Sequence, residues 1–527
     1  MPAPMLETVR WRWVLLIAVV VGAFLLRAHD VSRIFLWLDE TDFFNERLFG
    51  AHPKALLDYA LTTKNGTTNT MGWPAILWMS CRLFGPTLGV ARAPSVLVGT
   101  AAVVLIFLLV YRLIPAAFAG SRFVPAILAA ALAAIAMPQL EFSQRTYPYA
   151  AVPFAAAALL LAHLEVFRAI SSSHSAGKLL RPVALYTLAG VFALFIHPSL
   201  DLLLGISAPF LTVRAAREFL WRPGADRRGF LQTVFAAGLI LFCAALVNAK
   251  NPKYGHRIYL PEYYHPLSFH SIPRLAGHAY DLFTFHLNLF YNPALYWPER
   301  VNWVLLPLVL VCWFGWWLAG AGKLGAQARQ LAQLGLALTG LLAVLSIVGI
   351  FPFGGVRQTL LLSPFLLAFT GLGAYALCER RATRILGTVA AAAYLAAWAY
   401  NLPRFYQERV SAYNAEDIAQ VWRQNGELKI FTRAADRELQ YIMRNHPEIE
   451  IRDLEPFPKP PYLLLAPHWP PLENKTFYFG FLEHLRQEGS KATLVMATPP
   501  VHLDSLQYRT SLYYPPNCAW VYKITPQ

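Results

Sequence analysis

Long apolar runs fill most of the first 400 residues, and polar residues are confined to the gaps between them. A helix needs about 20 apolar residues to cross the hydrocarbon core of a bilayer. Runs close to that length lie at 13–28, 93–114, 123–138, 150–167, 183–197, 199–213, 230–248, 301–319, 331–350, 358–378 and 384–400. The pattern therefore predicts a polytopic α-helical membrane protein with about 11 transmembrane helices. The two short runs that meet at His197-Pro198 predict helices joined by a tight turn.

The pattern changes after about residue 400, where charged residues return and apolar runs shorten. Segments 416–425 and 435–445 are typical of helices, whereas 428–432, 462–466, 492–497 and 520–524 are typical of strands. This alternation predicts a small α/β domain. We therefore expect a membrane domain over 1–400 and an α/β domain over 401–527.

The composition supports this division. Of 527 residues, 56% are hydrophobic and only 14% are charged, whereas a soluble protein carries roughly 25% charged residues. An ordinary soluble enzyme is excluded. The net charge of +15 would favour nucleic acid in a soluble protein, but no basic patch is interleaved with exposed aromatic residues, so nucleic acid is not an expected partner.

The positions of Lys and Arg predict the orientation. If Arg10 and Arg12 are cytoplasmic, the inside loops hold almost all the basic residues, as the positive-inside rule requires. The prediction is a multi-pass protein of the cell (inner) membrane with a cytoplasmic N-terminus, long outer loops at 29–92 and 249–300, and an extracytoplasmic C-terminal domain. Segment 73–84 is too short to span and predicts a helix on the membrane surface.

The strongest local signal is the pair Asp39-Glu40, which follows an aromatic apolar stretch soon after the first run. Charged groups at the membrane surface are costly and usually functional. A carboxylate there is able to take a proton from an attacking hydroxyl. Neighbouring side chains point in different directions, so the two acids are expected to have different roles. The alternative is a solvated loop, or a helix N-terminus capped by Asp39.

Each of two short segments predicted to lie outside carries one arginine, although basic residues are otherwise concentrated in the predicted inside loops. Arg145 lies between Glu141 and Tyr149, and Arg357 follows Gly354-Gly355. A phosphate, or the acids at 39 and 40, would be a suitable partner for such a cation. The alternative is an interfacial arginine that extends to the membrane surface beside tyrosines.

Weaker candidates lie elsewhere on the predicted outer side. His197 and Asp201 are four residues apart at a helix start and could touch, although a helix break is the alternative explanation. Arg257, in a loop rich in His and aromatic residues, could reach a phosphate. The histidines of this loop lack metal-site spacing such as HExxH, so metal binding is a secondary possibility there.

No Asp-x-Asp or Walker lysine loop occurs in the chain, and the inside loops contain few acids. A nucleotide-sugar or ATP site usually needs such groups. Chemistry driven by a cytoplasmic nucleotide is therefore not expected. An activated donor would have to arrive on another carrier, and a lipid phosphate fits the outer arginines.

The order of these features along the chain, and the side of the membrane predicted for each, resemble those of polytopic glycosyltransferases of the C-type (GT-C) fold that use polyprenyl-phosphate sugars. This group includes protein O-mannosyltransferases and the aminoarabinose transferase of lipid A. The resemblance covers residues 10–400. The segments that carry it are Asp39-Glu40, Met71 to Leu77, Leu83-Phe84-Gly85, Ala91 to Ser95, Phe142 to Tyr149 and Phe351 to Pro364.

The resemblance implies that Asp39 is the general base and that Glu40 orients donor or acceptor. It implies that Arg145 and Arg357 contact the donor phosphate. The chain departs from the family pattern in two places: Tyr147 stands at the usual arginine position, and the usual His-Pro or Lys-Pro before the surface helix is missing, with Lys64 or Asn69 as substitutes.

The sequence therefore predicts an inverting glycosyltransferase that moves a sugar from a polyprenyl phosphate to a lipid, glycan or protein acceptor on the outer face, among membrane lipids. No cofactor has a dedicated motif, and a divalent metal is the alternative to arginine for stabilising the leaving phosphate. A lipid or saccharide transporter or flippase is the main rival. A scaffold whose tail binds a partner is the other.

Overall fold

In a computed structural model the described residues are 3–32, 72–85, 87–114, 122–172, 176–222, 226–249, 306–348, 357–379, 383–407, 415–432, 446–454, 458–468, 481–498 and 518–526. The chain divides into two compact units. The first comprises Met1–His29 and Ala51–Ala399, and the second comprises Asp30–Gly50 and Tyr400–Gln527.

The first unit is helical. Its helices are α1 (Ala3–Ala28), α2 (Gly72–Phe84), α3 (Leu88–Leu113), α4 (Phe123–Ile135), α5 (Met137–Ser143), α6 (Ala151–Ser172), α7 (Leu180–Ile196), α8 (Ser199–Phe219), α9 (Arg228–Ala249), α10 (Leu306–Gly320), α11 (Ala326–Ile347), α12 (Ser363–Glu379) and α13 (Arg384–Gln407, which continues into the second unit). Two 3₁₀ turns that matter below are Pro148–Ala150 and Arg357–Leu362.

Each predicted apolar run overlaps at least one helix in the part of the chain that the structure describes. Among the described residues, six helices are long and apolar enough to cross a membrane: α1, α3, α6, α8, α11 and α12. The bent pair α4–α5 raises this number to seven. The helices α7, α9, α10 and α13 also contain apolar segments, but these are shorter. The full count of about 11 spans therefore stays a prediction. The tight turn at His197-Pro198 is confirmed, because α7 ends at Ile196 and α8 begins at Ser199.

The predicted run 123–138 is not one straight helix. It breaks at Ala136, whose backbone is extended (φ −63°, ψ 115°), and α5 continues at 56° to α4. Pro138 explains the break, because it has no N–H to donate to the carbonyl four residues earlier. The segment around Arg145, expected as a short outer turn, is consequently buried from Met137 to Ala150.

Basic residues gather at one end of the first unit. Arg112 Nη1 lies 3.2 Å from Glu165 Oε1, and Arg168 Nη2 donates to Gln327 Oε1 at 3.2 Å. Arg214 Nη2 lies 3.0 Å from Glu218 Oε1. These contacts bring together the C-terminal ends of α3 and α6 and the N-terminal end of α11. This is the end at which the sequence places the inside loops.

The second unit contains α14 (Ala415–Gln424) and a five-stranded sheet in the order β2-β1-β3-β5-β4. The strands are β1 (Ile430–Thr432), β2 (Ile451–Asp453), β3 (Tyr462–His468), β4 (Ser490–Thr498) and β5 (Cys518–Pro526). β1 pairs in parallel with β2 and β3, while β5 runs antiparallel to β3 and β4.

Four strands and α14 lie where the sequence predicted them. β2 is a fifth strand that the sequence did not predict. Ile418 and Ala419 of α14 are buried with Leu463 and Leu465 of β3 on one face of the sheet. The predicted helix 435–445 lies outside the described residues.

Candidate active site

Five elements of the first unit meet at the end opposite the basic cluster. They are the last turn of α1, the start of α2, the segment from α5 to Pro148–Ala150, the break between α7 and α8, and the turn Arg357–Leu362. The side chain of Trp73 in α2 donates to Thr146 O at 2.7 Å. The start of α2 packs so tightly on α7 that a Cβ at Gly72 would lie 2.5 Å from Phe195 O.

Three arginines at this end are fully buried: Arg27 in the last turn of α1, Arg92 in the first turns of α3, and Arg145 after α5. Burying a guanidinium is costly unless hydrogen bonds or an anion compensate it. Among the described residues, Glu141 is the one buried carboxylate, and it lies in the same segment as Arg145. This end of the unit therefore concentrates buried positive charge.

Arg145 and Glu141, both predicted site residues, are placed by the bend at Ala136. Because α5 turns inward, Glu141 has an exposed fraction of 7% and Arg145 of 1%. Neither is an interfacial side chain extended to the surface, which was the alternative explanation for Arg145. A charge in such surroundings interacts with other charges far more strongly than it would in water.

Aromatic rings line this segment and connect it to α7. Tyr149 stacks on Tyr147 at 5.4 Å between ring centroids and contacts Phe142 at 5.2 Å. Its ring also lies 5.1 Å from that of His197. Two predicted candidates that are far apart in the chain, Tyr149 and His197, are thus brought together by the fold.

His197 has a defined hydrogen-bond arrangement at the start of α8. The backbone N–H of Ser199 donates to His197 Nδ1 at 3.1 Å, and Ser199 Oγ lies 2.8 Å from the same atom. Because a backbone N–H only donates, Nδ1 is an acceptor and the neutral ring carries its proton on Nε2. Asp201 follows in the first turn of α8 and is half-buried.

Of the other predicted site residues, only Arg357 lies in the part of the chain that the structure describes. Arg357 begins the turn Arg357–Leu362, which contacts Pro148–Ala150, α6 and α8, so its backbone belongs to this end of the unit. Asp39, Glu40, Lys64 and Arg257 lie outside the described residues. Within the described residues, no group of three or more His, Cys, Asp and Glu side chains could hold a metal ion.

Arg27 and Gln144 contribute to the site but were not predicted from the sequence. A cation in the last turn of an apolar helix is typical of an interfacial anchor, so Arg27 gave no distinctive signal. Gln144 is uncharged and precedes Arg145, so it gave no signal of its own. Only the bend at Ala136 brings their side chains to the facing helix ends.

No protein-family model and no curated protein matches the sequence. A crystal structure of ArnT from Cupriavidus metallidurans bound to undecaprenyl phosphate is similar over 97% of this chain and 98% of that one, with a TM-score of 0.51 and 12% identity. The chain has the ArnT fold. The predicted resemblance to GT-C proteins is confirmed at the level of the fold.

Two further structures are similar at lower scores. ArnT from Cupriavidus metallidurans in the apo state matches with a TM-score of 0.40 at 14% identity, over 98% of each chain. Archaeal oligosaccharyltransferase AglB from Archaeoglobus fulgidus, in complex with an inhibitory peptide and a dolichol-phosphate, matches with a TM-score of 0.46 at 12% identity. That match covers 84% of this chain and 64% of AglB. The ArnT fold and the apolar helices together identify a multi-pass membrane protein.

Proposed function

We propose that the protein is an integral-membrane glycosyltransferase that takes a sugar from a polyprenyl-phosphate-linked donor. The sugar passes to a lipid, glycan or protein acceptor on the outer face of the membrane. The observation that carries this proposal is the burial of the cation Arg145 at one end of a membrane unit that has the ArnT fold. The solved ArnT structure is bound to undecaprenyl phosphate, a ligand of the chemistry that buried guanidinium groups attract.

The donor phosphate is the group that cations of the site would stabilise. Guanidinium groups bind phosphate oxygens through paired, charge-assisted hydrogen bonds. As the bond between sugar and phosphate breaks, negative charge grows on the phosphate, and a preorganised cation stabilises that charge. Arg145 and Arg357 are the proposed phosphate contacts, with Arg257 and Lys64 as further candidates. A divalent metal is the alternative source of positive charge.

The acceptor would attack from the side opposite the phosphate. Its hydroxyl oxygen forms a bond to the anomeric carbon, the bond to the phosphate oxygen breaks, and polyprenyl phosphate leaves with the electron pair. Asp39 takes the hydroxyl proton, which contributes about 10²–10⁴ in rate. Glu40 orients donor or acceptor. One displacement of this kind inverts the configuration at the anomeric carbon.

A transporter or flippase is the second candidate, and a specific observation favours it. His163 lies fully buried within α6, where its Nδ1 is 2.9 Å from Ser207 Oγ and its Nε2 is 3.4 Å from Gln330 Nε2. Ionisable groups inside membrane helices often mark transport pathways. Transport would move a labelled lipid across the bilayer without breaking its bond to the sugar, whereas a transferase cleaves that bond.

Purified protein in lipid nanodiscs, supplied with a panel of radiolabelled undecaprenyl-phosphate sugars and a membrane extract as acceptor, separates these functions. We expect one donor to be consumed, with release of undecaprenyl phosphate and label on the acceptor. A panel in which no donor is cleaved would contradict the proposal.

Arg145→Gln tests the phosphate contact within the same assay. The variant keeps a polar side chain but removes the charge, so we expect weaker donor binding and at least a tenfold loss of kcat/KM. Arg112→Gln, which removes a half-exposed cation at the opposite end of the unit, is the matched control and should keep normal transfer. Equal activity of the two variants would exclude Arg145 from the site.

A further inference from the structure

Arg27 is bound to the facing helix pair by several hydrogen bonds. Its Nη1 donates to Ala134 O at 3.0 Å and to Ala23 O at 3.1 Å, and its Nη2 donates to Ala133 O at 3.0 Å. Its Nε donates to Ser143 Oγ at 3.2 Å. Arg27 thus joins the last turn of α1 to the end of α4 and to the end of α5 at once.

The bend at Ala136 explains why a cation is needed there. In a continuous helix, the amide of residue 138 would donate to Ala134 O, but residue 138 is a proline without an N–H. A buried carbonyl with no donor is destabilising. Arg27 supplies the missing donor, and its planar fork reaches Ala133 O and Ala134 O together, which a single ammonium group does less well.

Gln144 makes the reciprocal contact. Its Nε2 donates to Leu26 O at 3.3 Å and to His29 O at 3.0 Å. These carbonyls belong to the end of α1, where helix carbonyls lack intrahelical partners. A side chain of each segment therefore caps the helix end of the other. We call this pair of residues, Arg27 and Gln144, the reciprocal clamp.

The local packing leaves little room around the clamp. Ser143 accepts from Arg27 Nε while its own hydroxyl donates to Gln139 O. Gly99 of α3 faces this pair, and a Cβ at that position would collide with Ser143 Oγ and would lie 3.2 Å from Arg27 Nε. Since a side chain would displace both groups, glycine is the residue that the clamp requires there.

Along the chain, the clamp residues precede the two segments that carry the proposed chemistry. Residue 145 follows Gln144, and the segment with Asp39 and Glu40 leaves α1 just after His29. We propose that Arg27 and Gln144 are positioning residues that fix where both segments leave their helices, a role that rests on the proposed glycosyl transfer. They act on the reaction through the backbone and do not touch the sugar.

This role predicts an effect on turnover rather than on donor affinity. Small misplacements of reacting groups lower the rate sharply, whereas phosphate affinity depends on the cations of the site. For Gln144→Leu we expect at least a tenfold loss of kcat, with the Kd for undecaprenyl phosphate within twofold of the wild type. Arg27→Lys, which keeps the charge but loses the fork, should show a smaller loss of the same kind.

The experiment measures kcat, KM and undecaprenyl-phosphate affinity for the full chain in nanodiscs, together with hydrogen–deuterium exchange. Peptides covering 26–32 and 137–147 should exchange faster in Gln144→Leu. Ser207→Ala is the matched control, because it also removes a buried polar partner, between His163 and Tyr186, but at a distance from the clamp. It should leave both peptides and turnover unchanged.

The possible results distinguish the proposed function from the proposed role of the clamp. A wild type that transfers no sugar refutes the proposed function and, with it, a catalytic role for the clamp. An active wild type with normal turnover in Gln144→Leu refutes the clamp alone, as does a Kd that weakens in parallel with kcat. If Arg27→Lys does not fold, Gln144→Leu still decides the matter, since it removes two hydrogen bonds and no charge.

Discussion

The residues that define the site differ in how visible they are in the sequence. Arg145 is recognisable because it interrupts a charge bias that otherwise excludes cations from the predicted outer turns. Arg27 is equally buried but follows an apolar run in the manner of an ordinary membrane anchor. The contact between Tyr149 and His197 depends on how α6 and α7 pack, which no local pattern contains. A site residue was therefore predictable where it departs from a sequence pattern, as Arg145 does. It was not predictable where its role depends on contacts that only the fold creates.

Tyr462 of β3 permits a pH-dependent prediction at the scale of one residue. Burial, followed by the nearby charge of Glu488, raises the pKa of Tyr462 from 10.0 to about 12. Because the folded state holds this proton more tightly, the contribution of Tyr462 to stability is complete below pH 10 and is lost as the pH rises towards 12. Its hydroxyl has no hydrogen-bond partner among the described residues.

Tyr462→Phe should therefore be neutral or slightly stabilising at pH 7, since it removes an unsatisfied buried hydroxyl. Between pH 10 and 12 its thermal unfolding midpoint should fall less than that of the wild type. Differential scanning fluorimetry of the full chain at pH 7 and pH 11 measures both effects. An identical alkaline decrease in the two proteins would contradict the assignment.

At the scale of elements, the sequence predicted helices well and their irregularities poorly. Apolar runs predicted the positions of the membrane helices because burial in lipid or protein demands apolar side chains along the whole segment. The break at Ala136 is a backbone event, and Pro138 near the end of a run could equally have marked the end of the helix.

The close packing of α10 on α12 is a second feature at the scale of helices and strands. Gly315 and Gly373 face each other, and a Cβ at Gly373 would collide with Val311 O and would lie 2.9 Å from Gly315 N. Small residues of this kind let membrane helices approach at the backbone. The contact is with backbone atoms, which cannot move aside as a flexible side chain can.

Gly373→Ala should therefore lower the unfolding temperature, with a cost of about 1–3 kcal/mol from overpacking. Gly340→Ala in α11 is the matched control, because a Cβ there meets nothing within 4 Å and alanine favours a helix by up to about 1 kcal/mol. Thermal unfolding of the two variants in the same detergent measures the difference. A Gly373→Ala variant as stable as the control would show that the two helices are not in backbone contact.

At the scale of the whole molecule, the distribution of charge separates two ends of the helical unit. Ion pairs of Arg112, Arg168 and Arg214 mark one end, and the buried arginines mark the other. The sequence predicted the basic end, because the positive-inside rule acts on loops and needs no knowledge of packing. The GT-C fold was predicted from the order of weak motifs. The geometry of the site was not, because it depends on contacts between distant segments.

The central proposal is that Asp39 takes the proton of an attacking hydroxyl while buried cations hold the donor phosphate. The transfer rate of Asp39→Asn from a labelled undecaprenyl-phosphate sugar tests it most directly, because the substitution preserves size and removes the base. We predict a rate about 10²–10⁴ times lower, with an unchanged unfolding temperature and unchanged binding of undecaprenyl phosphate. A variant that transfers sugar at nearly the wild-type rate would contradict the account.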